Sequence, residues 1–461
     1  MINPKNNSTN LESIPLVSCA KSFDEAVESA EMHGNDMMKK MERLFPICRS
    51  LTGAGIRETF NIIGETVPLR RHKIATGEKV YDWTVPKEWN IKDAYIKNSK
   101  GEKIVDFNKT NLHVVGYSTP IRTKLSLADL RPHLHTLPNV PEAVPYITSY
   151  YKERWGFCLS QNQLDSLEED TYEVVIKSTL EDGFLELCDA RIGPEDSPEI
   201  VVATYCCHPS IANNELSGPV LTTKLYEILS GINDLRFSYR FLFMPETIGP
   251  IAYMSMFGEE LKSQVHAGYV VSCVGDDGPY TYKKSRRGNS AADISALHML
   301  RHLPTENSEI LIHDFFPDAG GDERQYNSPG FNLPIGSLLR SNAGTYREYH
   351  TSLDNLDFVS ARGMAGSLSA YLRIFQTLEM NRKLLNIKPN GEPQLGKYGL
   401  YPGPGVHPRF EDEMRYILYL LCYADGENDL MEIADKVERP IWALTGAIGK
   451  LADAKLMELA D

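Results

Sequence analysis

The stretch CHPSIANNELSGP sets one histidine, His208, just after an apolar run and follows it closely with Asn213, Asn214, Glu215 and Ser217. Two further polar sets also follow apolar runs, and two more polar stretches lie further on. Glu246 and Thr247 come after SYRFLFMP, Asp276 and Asp277 after AGYVVSCVG, and the later AGGDERQY and YREYHTSLDN carry Asp322, His350 and Asp354. Imidazole nitrogens and carboxylate oxygens are the donors that hold zinc, and a nearby glutamate can take a proton from water activated there. Each residue alone has a plainer reading. A lone histidine after a strand is usually a hydrogen-bonded loop residue. Glu246 suits a helix N-terminus, where the dipole favours an acid. Asp322 is an ordinary turn residue, and HTSLD offers Ser or Asp as a helix cap. Their joint placement after successive apolar runs points to the chemistry of a metal hydrolase.

Those runs must be strands that deliver the polar residues to one rim. EIVVATY (199–205), SYRFLFM (238–244) and AGYVVSCVG (267–275) are continuous buried-strand patterns, and SGPVLTTKLYEILSGI and GPIAYMSMFGEELKSQ between them read as helices. This rhythm predicts an α/β fold, a mostly parallel sheet with helices on both faces. Ligands in such sheets bind beyond the carboxyl ends of the strands. Helical spacing over 23–47 and 54–65 precedes this unit, and a helix over 360–385 closes it. Residues 76–169 differ in texture. Short apolar runs broken by Pro, Asn-Ser and Lys-Gly turns predict an inserted β-rich module. After a Pro/Gly-rich linker, three short amphipathic helices over 408–461 resemble a winged helix. Residues 1–22 read as a disordered tail.

Composition narrows the class. The chain has 461 residues, 42% hydrophobic and 24% charged, with net charge −14. That balance argues against nucleic acid or anionic lipid as the main partner. The 408–461 module carries six Lys and Arg against twelve Asp and Glu, so it lacks the basic stripe of a DNA reader. It is expected to pack on the rest of the chain or mediate self-association as a homo-oligomer. The eight cysteines form no CxxC pair, which suits a reducing compartment. The N-terminus has no signal pattern and no apolar run matches a membrane span. A cytoplasmic protein that does not engage a membrane is expected.

In their order these stretches resemble the co-catalytic zinc aminopeptidases and their glutaminyl cyclase relatives. Closer still, DWTVPKEWNIKDAYI, VPYITSYYKERWGFCLS, PETIG, GGDERQYNSPGFNLP and YHTSLDNLDF resemble a bacterial family with an aminopeptidase-like domain, often linked with polysaccharide biosynthesis loci. The resemblance covers nearly the whole chain. It implies an aminopeptidase-like catalytic domain from 23–75 and 170–395, interrupted by the 76–169 module and followed by the 408–461 winged helix. It implies His208 and His350 as metal ligands, Glu246 as general base, Asp322 as the catalytic rim acid and Asp354 as the acid behind the last histidine.

The departures from that pattern carry as much weight. Asn214 takes the place of a bridging aspartate, with Glu215 next to it. Thr247 stands where a second glutamate is usual, and Ser272 or Cys273 where an aspartate is usual. Losing those carboxylates disfavours two dications close together. One zinc ion is expected, held by His208, His350 and a carboxylate, with Glu215 or the Asn214 amide as further ligand. Cys206, Cys207 and Cys273 read as buried structural residues rather than ligands. Arg287, in the basic run 282–290, and Arg324, beside Asp322, are candidates to clamp a substrate carboxylate. The leading expectation is a hydrolase of a small peptide or amide. Acyl transfer or cyclisation on the same fold, and a non-catalytic binding protein with a degraded metal site, are the two rivals.

Overall fold

The computed structural model describes residues 15–303, 309–315, 321–401 and 412–460. Residues 1–14 of the expected tail and 402–407 of the linker lie outside these, as do 408–411 at the start of the expected winged helix.

Eight strands build the main sheet: β1 (Arg70–Ala75), β2 (Phe184–Ile192), β3 (Glu199–Tyr205), β4 (Ser238–Met244), β5 (Val265–Val270), β6 (Thr281–Lys283), β7 (Leu311–His313) and β8 (Ile335–Leu339). Their order is β1-β2-β4-β3-β5-β8-β6-β7. The central strands β4, β3, β5 and β8 run parallel, and the antiparallel pairings lie toward the edges. Seven helices of the same unit are α1 (Pro15–Glu28), α2 (Ala30–Leu44), α3 (Ala54–Ile63), α4 (Ser217–Leu229), α5 (Ile248–Gln264), α6 (Ala291–Arg301) and α7 (Ala361–Met380).

Strand alternation explains why the sheet is covered twice. Ile200, Val202, Phe241 and Phe243 point into a core shared with α2, α4, α6 and α7. Val201, Ala203, Leu242 and Met244, one residue out of step, point into the core under α5. A period of two sends neighbouring side chains to opposite faces, so both faces must be apolar and both must be covered. The expected fold class is the one found.

Three boundaries differ from expectation. Residues 15–22 are helical rather than a loose tail, because Leu16, Ala20 and Phe23 form one buried stripe of α1. Burying Phe23 alone is worth about 2–3 kcal/mol. The inserted module's four-stranded sheet pairs Glu88–Lys97 with both Lys103–Asp106 and Thr171–Glu181, and adds Ile121–Ser126. Its longest strand therefore lies beyond 169. The C-terminal module combines helices Asp412–Tyr423, Leu430–Val437 and Thr445–Asp453 with a three-stranded sheet that recruits Lys383–Asn386, ahead of the linker. That strand was hidden in sequence by its four-residue length. Among the described residues no helix is long and apolar enough to cross a membrane.

Candidate active site

Strands β3 and β4 are in parallel register, with Tyr205 opposite Met244. The residues just past each strand therefore emerge side by side. His208 leaves β3 and Glu246 leaves β4, and the His208 Nε2 to Glu246 Oε2 distance is 3.6 Å. A π-helical turn, Ala212–Leu216, then carries Asn213, Asn214 and Glu215 inward before α4 begins. Gly218 permits that close entry. A Cβ there would meet the Val271 carbonyl oxygen at 2.3 Å and Thr204 Oγ1 at 2.4 Å.

Glu215 is buried and turned toward His208. Its Oε2 lies 2.7 Å from His208 Nδ1 and its Oε1 accepts the His208 backbone N–H at 2.9 Å. The buried guanidinium of Arg49 donates to the His208 carbonyl at 2.9 Å and sets a positive charge near Glu215. Burial acts to lower the His208 imidazolium, but Glu215 and then Glu246 outweigh it and hold its pKa above the usual value. Asn214 reaches the other histidine: its Oδ1 is 3.2 Å from His350 Nε2, while its amide donates to Tyr205 Oη at 2.9 Å. His350 sits at φ +55°, a conformation a non-glycine residue holds only when its surroundings impose it. They do so through the inserted module: the Tyr146 N–H donates to the His350 carbonyl and the Ser352 N–H to the Val144 carbonyl, both at 2.8 Å. Burial, with His208 next, pushes the His350 imidazolium down to about 3, so this ring is neutral and a potential ligand.

Asp354 and Asp322 both accept backbone N–H groups, which the sequence did not suggest. The Asp354 carboxylate accepts the backbone N–H groups of Asn213 (2.5 Å) and Asn214 (3.0 Å) and the Tyr346 hydroxyl (3.2 Å). It anchors the π-helical turn rather than the His350 ring. Burial pushes its carboxyl up to about 6. Asp322 is buried and accepts the Thr247 N–H at 2.7 Å. Thr247 has φ +64° at the start of α5, so Asp322 holds a strained residue next to Glu246. Burial, then the charge of Glu246, raises the Asp322 carboxyl well above the usual range.

The two arginines divide. Arg324 is half-buried, donates to the Gly321 carbonyl at 3.3 Å, and its charge acts on Glu246. Arg287 faces outward, with its Nε bonded to the Asn332 carbonyl at 3.1 Å. Within the run 282–290, Lys283 is buried and pairs with Glu323 at 2.7 Å, while Arg286 and Arg287 are exposed.

A cavity of about 380 Å³ opens over these groups, lined by Cys207, His208, Glu246, Thr247 and His350 on one side. Trp83, Tyr146, Tyr150 and Tyr151 of the inserted module line the other side. The Glu246 side chain is 27% exposed here, so solvent reaches it. Burial raises its carboxyl and His208 counteracts that rise. A carboxylate, two imidazoles and an aromatic wall converge on one cavity, as a site for proton transfer requires. Sequence reading assigned no role to Arg49 or to the wall aromatics. The aromatic density of VPYITSYYKERWGF was the available signal.

Among known proteins, a family described as a domain of unknown function (DUF4910) matches residues 38–381, and a winged helix-turn-helix family matches 382–459. A Clostridium acetobutylicum protein is 45% identical over 433 residues, 94% of this chain and 98% of its own length. Its name, marked there as provisional, is a polysaccharide biosynthesis protein with an aminopeptidase-like domain. A crystal structure from the same organism, provisionally described as a peptidase, superposes with TM-score 0.88 at 44% identity, covering 95% of this chain and all of that one. A zinc aminopeptidase from Bacillus subtilis shares the fold at TM-score 0.54 and 10% identity, covering 75% of this chain and 93% of its own. The chain belongs to the DUF4910 family, on an aminopeptidase-like fold that carries a C-terminal winged helix-turn-helix module.

Proposed function

We propose that this cavity cleaves an amide bond in a small peptide-like substrate, with one zinc ion as cofactor. The observation that carries the reading is the Glu246 carboxylate, partly exposed and 3.6 Å from His208 Nε2, in a cavity roofed by aromatic rings. The donor set suits a single ion. His208, Glu215, Asn214 and His350 would hold it, and Glu215 Oε2 is a buried oxygen beside His208 Nδ1. The absent carboxylates at Thr247 and at Ser272 or Cys273 leave too little negative charge for a second dication. Bound zinc polarises a scissile carbonyl and makes water more acidic.

The chain's own residues do the rest. Glu246 takes a proton from the attacking water and returns it to the leaving amine. Glu215 Oε1 accepts the His208 backbone N–H and so fixes where that residue sits. Asp322 positions Glu246 through the Thr247 amide. The Trp83–Tyr151 wall excludes bulky chains and limits the substrate to a short one. The acidic winged-helix module has no part in nucleic-acid binding on this reading, and the protein works in the cytoplasm.

The test is zinc content per chain, on protein without a histidine tag, together with amino-acid release from small peptides. Near-stoichiometric zinc that falls in Glu215→Ala, with turnover, supports the reading. Zinc without turnover until an amine acceptor is supplied would shift it to acyl transfer. No metal after zinc is supplied would leave a binding protein.

A further inference from the structure

We infer that Cys207 is itself a ligand to the metal, so that the ion is held by a thiolate from the cavity floor. The inference rests on the reading that the cavity takes a metal. Cys206 and Cys207 are adjacent, and strand-like alternation sends them to opposite sides. Cys206 Sγ faces the Met244 carbonyl at 3.7 Å, within the core under α4. Cys207 lines the cavity. Its Sγ is 3.5 Å from His208 Nδ1 and receives the Glu246 backbone N–H at 3.3 Å.

Cys207, His208 and Glu215 each offer one donor atom, and these atoms lie within 4.8 Å of one another. All three residues are buried. Glu215 Oε2, wholly enclosed, has His208 Nδ1 as its neighbour at 2.7 Å. Charge supports the assignment. A dication held by two imidazoles, an amide oxygen and the Glu215 carboxylate alone keeps one net positive charge in a buried place. One thiolate and the Glu215 carboxylate neutralise it. Sulfur, imidazole and carboxylate together are a donor set that zinc and cobalt(II) accept. Binding replaces the S–H bond with a sulfur–metal bond and releases that proton to water.

Among the described residues one other group has three such donors close together, His298, His302 and Asp435. There His298 Nε2 accepts the Ile441 N–H at 3.0 Å. The ring proton must then sit on Nδ1, the nitrogen that faces Asp435 at 3.6 Å, and ligation would sacrifice that amide bond. At the Cys207 group the contact given up would be that between His208 Nδ1 and Glu215 Oε2, and both of those atoms would become ligands.

The full-length protein, without a histidine tag and stripped by chelator, is titrated with cobalt(II) and followed by absorption. The expected result is a thiolate-to-cobalt charge-transfer band in the near ultraviolet. The band is lost in Cys207→Ser and kept in Cys206→Ser and Cys422→Ser, the last removing the exposed thiol. Affinity in Cys207→Ser should fall by about tenfold or more, at least what losing an outer partner of a ligand costs. One cobalt per chain with visible bands but no charge-transfer band overturns the role of Cys207 and leaves the metal reading standing. A band unchanged in Cys207→Ser also overturns it. No bound cobalt overturns both. X-ray absorption at the zinc edge of the wild type needs no variant. A sulfur scatterer at about 2.3 Å supports the ligand, and its absence overturns it.

Discussion

Glu215 Oε2 stands 2.7 Å from His208 Nδ1, and the other oxygen of the same carboxylate accepts the His208 backbone N–H. One side chain therefore fixes both the ring and the chain of the residue at the centre of the cavity. Removing one member of a buried pair typically costs about 3–5 kcal/mol, because the other is left uncompensated. Arg49, already buried nearby, would then also lose its counter-charge. Glu215→Ala should lower stability by that order in urea unfolding. It should also bring the His208 imidazolium down from its raised value, read by proton NMR titration. Stability equal to wild type would show that the contact contributes nothing.

Glu246 has the opposite character. It is partly exposed and makes no contact with His208 closer than 3.6 Å, so its loss should cost little in folding. As the proton carrier, its loss should cost about 10²–10⁴-fold in turnover. Glu246→Gln is expected to keep its metal and melting temperature while peptide release falls by that factor. Unchanged release would remove Glu246 from the chemistry.

Asp322 separates a positioning role from a proton-carrying one. Its carboxyl is buried, held well above the usual range by burial and then Glu246, and accepts the Thr247 N–H at 2.7 Å. Asparagine keeps that oxygen and resembles the neutral acid. Asp322→Asn should therefore retain turnover within a few-fold, whereas Asp322→Ala frees Thr247 from φ +64° and should lose both activity and stability. Equal loss of turnover in the two variants, with Asp322→Asn still folded, would return Asp322 to the proton path.

The contrast between these residues shows what was legible in sequence. His208 and Glu246 follow continuous apolar strands, and parallel register alone brings them together. A one-dimensional pattern was enough for them. Asp354 was read as the partner of His350 because the two are close in sequence, but its carboxylate turns to the backbone of Asn213 and Asn214, about 140 residues away. Side-chain direction after a turn is set by packing, which spacing does not encode. Cys207 reads as core, and it is buried in the cluster under α5 while also lining the cavity. The π-helical turn that brings Glu215 back toward it has no simple sequence signature. The helix over 15–22 was missed because its apolar stripe is short and its partner, the C-terminal module, lies some 400 residues later.

The aromatic wall gives a prediction about binding rather than chemistry. Trp83 and Tyr151 meet edge-to-face with centroids 5.7 Å apart, and both are exposed at the rim. A ring pair of this kind contributes about 0.5–1.5 kcal/mol beyond its area. Trp83→Ala and Tyr151→Ala should each raise KM about 2- to 10-fold with kcat unchanged, measured on a short peptide. A fall in kcat with constant KM would mean that the wall acts on the transition state.

Far from the cavity, Glu379 near the end of α7 sets a pH dependence of folding. Its carboxylate accepts the backbone N–H groups of Arg236 (2.6 Å) and Phe237 (3.5 Å) and the Tyr239 hydroxyl (2.8 Å). Burial nevertheless pushes it up to about 7, from an ordinary 4.5. In the folded chain it keeps its proton up to about pH 7, whereas the unfolded chain gives it up near 4.5. Between those values the native state binds more protons, so this contribution is full below 4.5 and is lost as pH rises through 7. The change amounts to about 3 kcal/mol. Glutamine cannot titrate, so the stability of wild type relative to Glu379→Gln in urea unfolding should be greater at about pH 5 than at about pH 8 by that order. A difference that is flat, or that grows with pH, would mean the three donors keep Glu379 ionised and govern it more strongly than burial does.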